Sequence, residues 1–183
     1  MPNIVIVTGS PTEGSRLNGI VEFASKAIAG AGWDVTELRV TDLPAEDVMF
    51  ARWDSPAIIE ANRIIAEADA VVIASPVYKA SYTGVLKAFL DLLPQKGLEG
   101  KAVLPLFIGG TIAHLLAIDY AMKPVLSALY AKHISTGVFA VDSQIARTDN
   151  GGFILSEELT DRLAGVIETF LQTASLFIQQ KNA

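Results

Sequence analysis

Three short stretches hold the residue types that can do chemistry. The first, Gly9-Ser10-Pro11-Thr12-Glu13-Gly14-Ser15-Arg16-Leu17-Asn18, gathers hydroxyls, an amide, one guanidinium and two glycines just before an apolar-periodic segment. A helix opening there presents free N–H groups and the positive end of its dipole. Such an end holds phosphate, with Ser10, Thr12 and Ser15 as hydrogen-bond donors and Arg16 as the charged partner. Read more plainly, the same residues make an ordinary capped helix start. The pattern is neither the dinucleotide G-x-G-x-x-G nor a loop ending in Gly-Lys-Ser/Thr. Glu13 is its one acidic residue, so the acidic pair of a phospho-receiver domain is missing.

The second stretch is Ser75-Pro76-Val77-Tyr78-Lys79-Ala80-Ser81-Tyr82-Thr83-Gly84. Tyr78 and Tyr82 can flank or edge a flat ring, or they are surface residues of a turn. The third is Gly109-Gly110-Thr111. Missing Cβ atoms let a planar ligand reach the backbone, or the pair simply marks the end of a strand. Together, a phosphate cradle, an aromatic-bearing loop and a Gly-Gly loop suit a phosphorylated flat ring, which is the shape of FMN.

These stretches need a frame that brings them together. Ile4–Val7, Ala70–Ala74 and Val103–Ile108 are continuous apolar runs, as in strands buried on both faces. Trp33–Leu38 alternates as another strand, and Ile134–Val141 reads as a fifth. Helical spacing predicts helices ending at Gly30, opening at Ser55-Pro56, running over about Thr83–Leu93 and Ile112–Leu129, and closing the chain over about Ser156–Gln179. Residues 41–54 are irregular and 142–153 read as a loop. Strands alternating with helices imply an α/β doubly wound parallel sheet, helices on both faces. Its natural order is 2-1-3-4-5, and ligands then sit outside the carboxyl ends near the switch between strands 1 and 3. The loops after strands 1, 3 and 4 are the three stretches above.

Composition narrows the chemistry. The 183 residues fit one domain over 1–183, and the chain has no cysteine. Thiolate nucleophiles, Cys-zinc sites and iron–sulfur clusters are thereby excluded. His114 and His133 are the only histidines, so a multi-histidine metal site is not available. A formal charge of −6 argues against a nucleic-acid partner. The longest apolar stretch, Ala102–Ile118, is broken by Pro105, Gly109, Gly110 and His114, so no membrane helix is expected and the cytoplasm is the default location. The hydrophobic fraction of 51% hints that another subunit covers part of the surface.

At these residues a resemblance emerges. The strand followed by Gly-Ser-Pro-x-x-x-Ser-Arg, and residues 75–94, resemble the NAD(P)H-dependent FMN reductases. Leu104-Pro105-Leu106 and the run Gly109–Leu126 are similar to the alkanesulfonate-assimilation members, as is Phe50–Ala57. The resemblance implies a flavodoxin-like fold, FMN with NADPH or NADH, and assembly as a dimer or tetramer. It implies that FMN is reduced and handed to a partner FMNH2-dependent monooxygenase that oxidises a sulfonate. It places Ser10, Ser15, Arg16 and Asn18 at the FMN phosphate, Pro76, Val77, Tyr78 and Lys79 along the isoalloxazine, and Gly109, Gly110 and Thr111 beside the ring. Thr12 joins the cradle on its hydroxyl. Many relatives carry Arg where Thr12 stands and Asn where Lys79 stands, and Arg16 is available to replace the first charge. No catalytic side chain is assigned, because the cofactors carry the chemistry. Two rival readings are an FMN-retaining quinone or azo-compound reductase and a flavodoxin-like electron carrier.

Pro124 has no N–H for the Tyr120 carbonyl and its ring clashes with that group. Either an extra residue widens the turn near Tyr120, a device common at functional sites, or the proline kinks the helix. His114 touches flavin or is a satisfied structural residue. Arg52 and Trp53 line a nucleotide entry or an interface.

Overall fold

The computed structural model describes residues 1–181. Strands β1 (Asn3–Thr8), β2 (Asp34–Arg39), β3 (Ala70–Pro76) and β4 (Ala102–Gly109) run parallel, in the order β2-β1-β3-β4, with a fifth strand beyond β4. This is the flavodoxin-like doubly wound arrangement, with the order expected from the sequence. Period-2 alternation divides each strand between two cores. Ile4 and Ile6 of β1 face α1 (Leu17–Gly30) and α6 (Glu157–Lys181), whereas Val5 and Val7 face α3 (Pro56–Glu67) and α4 (Gly84–Leu90). The irregular 41–54 region holds one short helix, α2 (Ala45–Met49).

The fifth strand differs from expectation. It is two pieces, β5 (His133–Ile134) and β6 (Val138–Val141), both paired with β4. The cause lies in β4. The Val103 carbonyl faces this edge and accepts from Ser135 N at 2.8 Å. Residue 105, two further on, faces the same way, but it is proline and has no N–H to give. The edge chain swings away at that point, and Gly137 turns it with φ of +82°. A Cβ on Gly137 would stand 2.7 Å from the Pro105 carbonyl oxygen.

Two further corrections concern the C-terminal half. Residues 142–153 are not simply a loop. They contain β7 (Ile145–Arg147), which pairs antiparallel with β8 (Phe153–Leu155). The hairpin packs on α1 so closely that a Cβ on Gly19 would come within 2.7 Å of Phe153 Cβ. The helix expected over 112–129 is also interrupted. A 3-10 turn at Ile112–His114 leads to a π-helical segment, Ile118–Met122, and only then to α5 (Lys123–Ala128). The widened turn contains Tyr120, four residues before Pro124, so the bulge rather than the simple kink is realised. Among the described residues, no helix is long and apolar enough to cross a membrane.

Candidate functional site

The loops after β1, β3 and β4 meet at the carboxyl end of the sheet. They line a cleft of about 190 Å³ with Ser15, Arg16, Pro76, Val77, Tyr78, Gly109 and Gly110. Ile108, Asp142 and Arg147 complete the lining and were not foreseen. Larger hollows occur elsewhere: one of about 530 Å³ lies between α2 and α4, and one of about 380 Å³ lies between β5 and α6. Neither gathers residues from the loops after β1 and β4, so size does not identify the site here.

The first loop is braced from several sides. Ser10 Oγ donates to the Thr12 carbonyl at 3.1 Å. Asn18 Nδ2 donates to the Glu13 carbonyl at 2.6 Å, and Ser15 Oγ accepts from Leu17 N at 3.2 Å. Ser10, Thr12 and Asn18 therefore shape the loop and do not line the cleft. Arg16 Nε donates to the Ile145 carbonyl of β7 at 3.0 Å. The Arg147 guanidinium donates to the Gly14 carbonyl from the opposite direction. No acidic residue occupies the first turn of α1, so its positive end is not neutralised locally.

The second loop is tied to the first through Thr83. Its hydroxyl donates to the Gly9 carbonyl at 2.5 Å and accepts from Leu86 N at 3.2 Å, capping α4. Thr83 N in turn donates to the buried Ser75 Oγ at 3.1 Å. Tyr78 and Ser81 exchange backbone hydrogen bonds of 2.8 and 3.2 Å across Lys79-Ala80. Both central residues have positive φ, 51° and 64°. That is the geometry of a tight two-residue hairpin turn, normally filled by Asn or Gly, and it strains two ordinary side chains. Lys79 lies outside the cleft lining, and Tyr78 rises exposed at its rim.

In the third loop, a Cβ on Gly109 would meet Phe139 Cζ at 2.9 Å and Val77 Cβ at 3.6 Å. Gly109 thus serves packing beneath the cleft, while Gly110 is exposed at its surface. Thr111 faces away and accepts from Ala113 N at 3.3 Å. Ala80, His114, Leu116 and Tyr120 line a neighbouring hollow of about 270 Å³. His114 is exposed there and its imidazole makes no hydrogen bond among the described residues, so it is not a satisfied structural histidine. Arg52 is occupied elsewhere, paired with Glu46 and Asp47 at 3.1 Å each. Trp53 beside it is 62% exposed.

A doubly wound sheet with a switch-point cleft lined by two arginines, two glycines and an apolar wall is an arrangement suited to a phosphorylated ring such as a flavin. The model of the NADPH-dependent FMN reductases matches residues 2–146, and the chain belongs to that family. It is 44% identical over 169 residues to the FMN reductase (NADPH) of Escherichia coli (strain K12), covering 92% of this chain and 88% of that protein. It is 44% identical over 168 residues to the FMN reductase (NADPH) of Pseudomonas putida KT2440, covering 91% and 85%. The solved NADH:FMN oxidoreductase EMOB superposes with a TM-score of 0.85 at 33% identity, covering 94% of this chain and 90% of that one. The protein is accordingly an NAD(P)H:FMN oxidoreductase, with FMN and a nicotinamide nucleotide as its cofactors.

The donor set fits FMN. The cleft pairs cationic side chains and the start of α1, whose first turn holds no acidic residue, with an apolar wall of Pro76, Val77 and Ile108. That is the polarity a phosphate joined to a ring system requires.

Proposed function

We propose that this enzyme reduces freely exchanging FMN with NADPH and passes the reduced flavin to a partner flavin-dependent monooxygenase that desulfonates alkanesulfonates. The observation that carries the cofactor assignment is the meeting of the three loops in one cleft, with Arg16 and Arg147 both in its lining. On this reading the Ser15–Arg16 side takes the phosphate, supported from behind by Ser10, Thr12 and Asn18. Pro76, Val77 and Tyr78 line the ring, Gly109 and Gly110 lie beneath it, and Lys79 and Thr111 mark the outer rim. Once bound, FMN supplies the two-electron redox chemistry of its ring. The chain's own task is orientation and exclusion of water, and no side chain is assigned as acid or base.

The choice of NADPH follows the two relatives at 44% identity, both NADPH enzymes by name. The sulfonate branch rests on the similarity of residues 104–126 to the alkanesulfonate-assimilation reductases. Exposed Ile112, Leu115, Leu116 and Tyr120 support self-association as a dimer or tetramer, the last being 79% exposed. A cytoplasmic location accords with a nicotinamide-dependent reaction.

NADPH oxidation measured while free FMN is titrated into purified protein tests the proposal. Saturable dependence on FMN is expected, with reduced flavin released to a monooxygenase kept behind a dialysis membrane. Retained FMN that turns over only when a quinone is added would replace this reading with the rival reductase.

A further inference from the structure

We infer that Arg147 is a second phosphate cation of the flavin site, delivered by the β7–β8 hairpin to the loop after β1. This deepens the function proposed above and rests on it. In β7, Ile145 and Arg147 lie on the same face because strand residues alternate. Ile145 is 2% exposed and anchors the strand in the core. Its carbonyl accepts from Arg16 Nε at 3.0 Å, which fixes the first arginine. Two residues on, Arg147 reaches the Gly14 carbonyl, one position before the cleft residue Ser15. The hairpin therefore holds one arginine and supplies another, on either side of Ser15.

Each guanidinium offers five N–H groups. Arg16 donates one to Ile145 and Arg147 one to Gly14. Among the described residues their remaining donors have no protein partner. Neither arginine belongs to any ion pair among the described residues, although Arg52, Arg63, Lys87, Lys96, Lys123 and Arg162 all do. Asp142 also lines the cleft, 3.9 Å from where a Gly110 Cβ would stand, and among the described residues it forms no ion pair with either arginine. Two cations without ion-pair partners lining one cleft, in a chain of net charge −6, mark a place for an anion of more than one charge. The phosphate of FMN is such an anion. Arg147 would add a second charge to a loop whose own sequence, Gly9 to Asn18, holds Arg16 as its one basic residue.

A brace and a ligand are distinguished by comparing FMN with riboflavin, which has the same ring and no phosphate. Dissociation constants are read from quenching of flavin fluorescence, without turnover, for the wild type, Arg147→Ala and Arg147→Lys, at low and high salt. Arg147→Ala should weaken FMN roughly tenfold at low salt and riboflavin less than about twofold. Arg147→Lys should retain part of the FMN preference, because the charge persists while the planar fork is lost. The difference should narrow at high salt, as it does for an exposed cation. Equal loss for both flavins would make Arg147 a brace of Gly14 only and overturn the inference. An unchanged FMN constant with a raised KM for NADPH would assign the charge to the nucleotide and overturn it equally. A wild type that binds riboflavin as tightly as FMN would instead reject the phosphate assignment of the whole loop.

Discussion

At the Ser15 end of the cleft, backbone carbonyls of the first loop are held by side chains, two of them from distant parts of the chain. Thr83 bonds Gly9, Asn18 bonds Glu13 and Arg147 bonds Gly14. At the Tyr78 end, the wall is a tight turn with Lys79 and Ala80 in left-handed conformation, next to a segment that exposes Ile112, Leu115, Leu116 and Tyr120. One end is preorganised by hydrogen bonds within the chain. The other carries strain and uncovered apolar surface, and on the function proposed above it is the region that another molecule completes. The contrast matches the two tasks of the enzyme. A phosphate needs fixed donors, whereas two ring systems that must meet and separate need a surface that opens.

The comparison can be broken by substitution, and the largest effect is expected at Thr83. Thr83→Val keeps the shape but strands the Gly9 carbonyl and Leu86 N, both buried. Each unsatisfied group costs about 1–3 kcal/mol, so a loss of about 3 kcal/mol and weakened FMN binding should appear in denaturant titration and flavin fluorescence. Next come the two glycines. Gly9→Ala places a methyl 2.5 Å from Leu86 Cβ, which cannot swing aside, whereas Gly109→Ala meets only the far end of the Phe139 ring at 2.9 Å. Overpacking costs about 1–3 kcal/mol, and Gly9→Ala should fall near the top of that range and Gly109→Ala near the bottom. Equal costs would contradict the view that the Ser15 end is the more rigid.

Lys79→Asn should act in the opposite direction. Asparagine tolerates positive φ better than lysine, so a gain of about 0.5–1 kcal/mol is expected, with Tm raised by roughly 1–4 °C. The smallest effect lies away from both ends. The hydrogen bond from Ser55, and then Arg52, holds the Asp47 carboxyl below its ordinary value of 3.8. A depressed folded-state pKa stabilises above the unfolded value and loses that contribution as pH falls through the folded one. Acid titration of stability should therefore show a small loss below about pH 4 that Asp47→Asn abolishes.

Legibility in the sequence followed the range of the interactions. The runs at Ile4–Val7, Ala70–Ala74 and Val103–Ile108 are buried on both faces, so composition alone located β1, β3 and β4 and the loops that follow them. Pro124 carries its consequence for Tyr120 within one turn, and the widened turn is one of the two outcomes its position allows. The split of the fifth strand was not, because its cause, Pro105, acts across the sheet. The β7–β8 hairpin left a local sign, Asn150-Gly151 between two short apolar segments, but strands of three residues are too short for alternation to register. Arg147 enters the cleft only through that hairpin, and Asp142 through the 3-10 turn, Asp142–Gln144, that links β6 to it. A contact spanning 133 residues, such as Arg147 with Gly14, leaves no trace in local spacing. Lys79 and Ala80 occupy their turn without the glycine or asparagine that would announce it.

The most direct test is a crystal structure of the protein with FMN. The phosphate should lie within hydrogen-bonding distance of Ser15 and Arg16, with the ring against Pro76–Tyr78 and over Gly109-Gly110. A flavin seated instead in the hollow between α2 and α4, or with its phosphate directed at Tyr120, would contradict the assignment of the cleft.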